Sequence, residues 1–139
     1  MLTEEMNSSR HPRNVLIVED EPSICNLVCV MLEGLGCEGN IAPNGRQALA
    51  MIKKESFDAI LLDLRCSEMP AEEMVSAISK LRPNLVGQVL VITDEVSDPE
   101  TTEIIKRNCM HHISSQRIMH DLWDKLSAVL DSHPAESAA

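Results

Sequence analysis

Val15-Leu16-Ile17-Val18-Glu19-Asp20 and Ala59-Ile60-Leu61-Leu62-Asp63 are two short apolar runs that each end in acid. Both are rich in β-branched residues and Leu and carry no polar residue that would mark a solvent face, the pattern of strands buried on both sides in a parallel sheet. Acids at the carboxyl ends of such strands point into the crevice where open α/β sheets bind ligands. Two unit charges ~4 Å apart repel by about 4 kcal/mol at an effective dielectric of about 20, so three converging carboxylates require a cation or shifted pKa values. An all-oxygen cluster of this size suits Mg2+.

Outward from these runs the chain alternates strand and helix. Pro22 at a first helical turn opens a helix whose Ile24, Leu27, Val28, Met31, Leu32 and Leu35 repeat at helical spacing, with Gly34 and Gly36 as the stop. Cys37 to Ala42 reads as a weak second strand, and Asn44-Gly45 precedes a helix carrying Ala48, Leu49, Met51 and Ile52. After Asp63 a loop leads to a helix from about Pro70, with Met74, Val75, Ile78 and Leu81 inward and Pro83 beyond its end. Val89-Leu90-Val91-Ile92 forms a fourth strand ending at Thr93, followed by a helix over Pro99 to Arg107 and a short strand around Met110 to Ile113. A last helix, about Gln116 to Asp131, has an apolar stripe of Ile118, Met119, Leu122, Trp123, Leu126, Val129 and Leu130. Five such units predict an α/β fold, a five-stranded parallel sheet in the order 2-1-3-4-5 with helices on both faces. In that order the first and third strands are neighbours at the topological switch point, which brings Glu19, Asp20 and Asp63 together.

At 139 residues the chain fits one domain, spanning about residues 14–131 between a polar leader (1–13) and a tail or linker start (132–139). A formal charge of −10 argues against sequence-independent binding to nucleic acid and against docking on anionic lipid, so partners are expected to be proteins. No stretch approaches a membrane span and the N-terminus lacks a signal-peptide pattern, which reads as cytoplasmic. The five cysteines are odd in number and scattered, so they are expected as reduced, packed thiols. Cys25 and Cys29 lie one helical turn apart, but two ligands make no tetrahedral metal site, and the five histidines show no ligand spacing.

The residues quoted, in this order and at these intervals, resemble the receiver domain of two-component response regulators, with its CheY-like, flavodoxin-like fold, over about residues 14–131. Glu19-Asp20 looks like the family's acidic pair, Ile-Leu-Leu-Asp63-Leu like its phosphoacceptor segment, and Leu-Val-Ile-Thr93 like the segment bearing its switch hydroxyl, 30 residues after Asp63. The resemblance implies that Asp63 accepts a phosphoryl group from a histidine kinase or phosphotransfer protein. Mg2+ would be held weakly by Glu19, Asp20, Asp63 and the backbone carbonyl of Arg65, and an unknown downstream protein would read the result. It implies a signalling domain rather than an enzyme. A phosphatase with an aspartyl nucleophile would need a second acid where Arg65 stands.

Four positions depart from the family pattern. Ser115 stands where a lysine normally pairs with the phosphoryl group, and it can offer a hydrogen bond but no charge. Lys106 lies on the preceding helix and is a poor substitute. Reversing a conformational equilibrium from 1:99 to 99:1 takes about 5.5 kcal/mol, of which a hydrogen bond to a charged group supplies about 1.5–3, so losing this contact weakens switching. Asp94 follows Thr93 where a small residue is usual, and either faces the incoming phosphoryl group or points to solvent. His112 replaces a switch aromatic, as a titratable rotor or a passive edge-strand residue. Leu64-Arg65-Cys66-Ser67-Glu68 replaces a Met-Pro-Gly-like turn, removing a proline. Arginine has the geometry to contact phosphate, although a solvated Arg65 is the default expectation. Ser115 and Asp94 favour a degenerate receiver that binds a partner without phosphorylation, whereas the complete acid trio and Thr93 favour retained phosphoacceptance.

Overall fold

A computed structural model describes residues 12–93 and 99–131. Five strands, β1 (Arg13–Val18), β2 (Cys37–Ala42), β3 (Ala59–Asp63), β4 (Val89–Thr93) and β5 (His111–Ser114), form one sheet in the order β2-β1-β3-β4-β5. Every pairing is parallel. The crossovers are α1 (Pro22–Gly34), α2 (Gly45–Lys54), α3 (Ala71–Leu81) and α4 (Pro99–Arg107), and α5 (Ile118–Asp131) closes the chain. The order read from the sequence is the order found.

Strand alternation divides the core in two. Leu16, Val18, Ile60, Leu62, Val89 and Val91 face one way and pack with Ala48 and Ile52 of α2, Met74 and Ile78 of α3, and Ile104 and Ile105 of α4. Their neighbours Val15, Ile17, Leu61, Leu90 and Ile92 face the other way and meet Val28 and Leu32 of α1 and Leu122, Leu126 and Val129 of α5. Two-sided burial therefore explains why β1, β3 and β4 read as continuous apolar runs.

Local signals set the ends. Pro22 sits at the first turn of α1, and the Asn44 side chain accepts from the Gln47 N–H at 2.9 Å to cap α2. A 3-10 turn over Pro83–Gln88, not foreseen from the pattern, carries Leu85 and Val86 into the core before β4. A second 3-10 turn, Ser115–Arg117, takes what reads in sequence as the first turn of the last helix. The stripe of α5 is narrower than its sequence suggests. Ile118, Leu122, Leu126, Val129 and Leu130 are buried, but Met119 and Trp123 are 70% and 45% exposed. Trp123 lies against α1 at Gly34, where an added Cβ would stand 3.0 Å from its ring. Of the cysteines, Cys25, Cys37 and Cys66 are buried thiols as expected, while Cys29 is half-buried and Cys109 exposed.

Candidate functional site

Val18 pairs with Leu62 across β1 and β3, so Glu19 and Asp63 leave the sheet side by side at its carboxyl edge. Both are buried, at 2% and 1% exposure, whereas Asp20 is exposed. Glu19 Oε2 accepts the N–H groups of Asp20 and Glu21, each at 3.2 Å, while Oε1 has no hydrogen-bond partner among the described residues. Burial, together with the neighbouring Asp63 carboxylate, pushes the Glu19 pKa up to about 7.

Asp63 is differently placed. Its Oδ1 accepts the Arg65 backbone N–H at 2.9 Å and Arg65 Nε at 3.0 Å, and its Oδ2 accepts Arg65 Nη2 at 2.7 Å. Burial alone would raise its pKa, but the Arg65 donors outweigh burial and hold the carboxyl below the ordinary carboxylate range. The guanidinium keeps the solvent exposure expected of an arginine in a loop, its side chain being 41% exposed, and adds to it the pairing with Asp63. Asp63 and Glu19 touch, and their environments drive them to opposite protonation behaviour.

The loop after β3 is tied to its surroundings. Cys66 is 8% exposed, and its thiol donates to the carbonyls of Val18 and Asp63, both at 3.5 Å. Ser67 is fully buried, donates its hydroxyl to the carbonyls of Leu64 and Met69, and accepts the Met69 N–H. This hydroxyl braces the turn at the position where a proline is usual. Glu68 follows with φ 63°, left-handed backbone that favours glycine. The Ser67 carbonyl accepts the Gly45 N–H at 2.9 Å, and a Cβ on Gly45 would stand 2.8 Å from that carbonyl oxygen.

Thr93 ends β4, 6% exposed and opposite Ser114 of β5. Ser115 follows at once, half-buried, as the first residue of its 3-10 turn. His112 is exposed on β5, and Lys106 belongs to α4. Asp94 lies outside the described residues. The ligand atoms that gather within 4.8 Å of one another come from Glu19, Asp20 and Cys66. Cys66 is the member that reading the sequence missed. Its only signal was its place three residues after Asp63 in a loop that already departed from pattern. The residues fit a divalent cation: two carboxylates converge, and a buried carboxylate oxygen, Glu19 Oε1, lacks a hydrogen-bond partner among the described residues.

A five-stranded parallel sheet in this order, with buried acids at the ends of β1 and β3 and a hydroxyl at the end of β4, defines the class of CheY-like, flavodoxin-like α/β domains. The sequence profile of the response regulator receiver domain matches residues 15–126, and the chain belongs to that family. Among curated relatives, the transcriptional regulatory protein ZraR of Escherichia coli (strain K12) is 30% identical over 100 residues, which are 72% of this chain and 22% of ZraR. The transcriptional regulatory protein GlrR of the same strain is 28% identical over 128 residues, 91% of this chain and 28% of GlrR. The chain therefore spans about a quarter of the length of these relatives. The crystal structure of a CheY-like response regulator receiver domain protein from Methanospirillum hungatei JF-1 superposes with a TM-score of 0.78 at 26% identity, covering 91% of this chain and 99% of that one. No described helix is long and apolar enough to cross a membrane.

Proposed function

We propose that the chain accepts a phosphoryl group on Asp63 from a phosphohistidine of a cytoplasmic histidine kinase or phosphotransfer protein, and that the modified form alters affinity for a downstream protein. The single observation that supports this most is the buried, ionised Asp63 carboxylate set beside Glu19 at the carboxyl edge of the sheet. Glu19, Asp20, Asp63 and the Arg65 carbonyl would hold Mg2+, whose charge offsets the repulsion between an anionic nucleophile and an anionic phosphoryl group. Asp63 supplies the attacking oxygen. Its release from the Arg65 donors is the step that exposes it, and the freed guanidinium lies within reach of the new phosphoryl oxygens, where it offers a planar bidentate cation. Thr93 donates its hydroxyl to the phosphoryl group. Ser115 offers no charge in place of the usual lysine, so the switch is weakened, and His112 is too exposed to report on the site by burial. The net acidity keeps direct nucleic-acid binding out of the role of this domain.

A second reading has its own support. Arg65 already satisfies both Asp63 oxygens, as in a degenerate receiver that binds partners without phosphorylation. Incubation with a small phosphodonor and Mg2+, read by intact mass, separates the two. The first reading requires the mass gain of one phosphoryl group, abolished by Asp63→Asn. No gain under conditions that label a complete receiver establishes the second.

A further inference from the structure

Cys66 changes what the acidic pocket can hold. Its Sγ lies within 4.8 Å of a carboxylate oxygen from both Glu19 and Asp20, so the gathered donor set is two oxygens and one sulfur rather than oxygen alone. Glu19 is 2% exposed and keeps one oxygen without a hydrogen-bond partner among the described residues, independent of the thiol. The thiol itself donates, at 3.5 Å, to two backbone carbonyls, bonds that a metal–sulfur bond would replace. Asp63, by contrast, has both oxygens bound by Arg65 and is not among the gathered ligand atoms.

We infer that Glu19, Asp20 and Cys66 form a site for a borderline-soft divalent cation of the zinc, cobalt and cadmium class. Three protein ligands with an open fourth position suit such ions, and a sulfur donor selects them over Mg2+, which takes oxygen ligands in near-octahedral geometry. Binding replaces the Sγ–H bond by a metal–sulfur bond, and the proton passes to solvent. The occupant takes two of the three carboxylates that Mg2+ would need, Glu19 and Asp20. A thiophilic ion is therefore a competitive inhibitor of phosphoacceptance, a consequence that rests on the function proposed above, whereas the site itself does not.

The probe is Cd2+ titrated into the reduced, chelator-treated chain, read by the ultraviolet charge-transfer absorption of a cadmium–thiolate bond. The expected result is one equivalent of band-forming metal, lost in Cys66→Ser and bound at least about tenfold more weakly in Glu19→Gln. The band persists in Cys25→Ser, whose thiol donates to the Glu19 backbone carbonyl at 3.7 Å, and in Cys109→Ser. Circular dichroism of each variant checks that it folds. Absence of a band, or a band that survives Cys66→Ser and disappears in Cys25→Ser or Cys109→Ser, overturns the site. Mg2+ should raise the apparent Cd2+ dissociation constant, and failure to do so overturns the competition. Phosphoryl uptake in Mg2+ alone, measured by mass on metal-free protein, tests the underlying function separately, so either can fail without the other.

Discussion

Glu19→Gln is expected to stabilise the metal-free chain at pH 8. The buried carboxyl has its pKa raised from 4.5 to about 7, so the folded chain binds more protons than the unfolded one between those values. Stability therefore falls as pH rises through that window, and the full penalty is present above it. At about 1.4 kcal/mol for each pH unit, the ceiling is about 3 kcal/mol. Glutamine is nearly isosteric, can still accept the Asp20 and Glu21 N–H groups, and adds a donor toward Asp63 without adding charge. A gain of about 2–3 kcal/mol at pH 8 corresponds to a melting temperature about 10 °C higher for a domain of this size. The assay is thermal or urea unfolding in chelator at pH 8 and at pH 4.5, followed by circular dichroism. The gain should shrink to near zero at pH 4.5, where the wild-type carboxyl is protonated in the folded state. Mg2+ should raise the stability of the wild type more than that of the variant, because an ion compensates the charge that the variant lacks. An equal gain at both pH values would locate the effect in packing rather than charge, and a loss at pH 8 would refute the argument outright.

Other perturbations test neighbouring parts of the site. Arg65→Ala removes the donors that hold Asp63 low, so the Asp63 pKa should rise in a carboxyl NMR titration. The stability owed to Asp63, present above the ordinary aspartate pKa of 3.8 and lost as pH falls through its lower folded value, should be lost in the variant, which then acid-unfolds at higher pH. Glu68→Gly relieves a left-handed backbone at φ 63° and should stabilise by about 0.5–1 kcal/mol in urea unfolding; no change would mean that the loop relaxes at little cost. Gly45→Ala places a methyl 2.8 Å from the Ser67 carbonyl oxygen and should destabilise by about 1–3 kcal/mol. It should also slow phosphoryl uptake by displacing the loop that carries Arg65, and an unaffected uptake rate would disconnect that contact from the site.

What could be read before folding and what could not divide along a physical line. Burial on both faces leaves a signature that survives in one dimension, so β1, β3 and β4 and their terminal acids stood out, and right-handed crossovers then left few ways to order the sheet. Even the polar β2, Cys37–Ala42, was legible from its place between two helices. The Arg65 fork was not, because it depends on a loop rotamer and on a backbone N–H turned inward at the same residue. Cys66 looked like one more packed thiol, since nothing in its neighbours reveals that the loop turns its sulfur toward two acids from β1's end. Met119 and Trp123 fall on the apolar stripe of α5, yet the helix presents only part of that stripe to the sheet, a matter of rotation that periodicity leaves free. The 3-10 turn at Pro83–Gln88 escaped notice because a turn that short has too few residues to show a period.

The hydrogen bond from the Gly45 amide to the Ser67 carbonyl couples the loop beyond the phosphoacceptor to the opening residue of α2. An excursion of that loop, whether prompted by an ion or by modification, that carries Ser67 away from α2 breaks this bond. The isotope-exchange rate of a single proton, on residue 45, therefore serves as a strain gauge for the whole acidic edge, readable without labelling a side chain or knowing the partner.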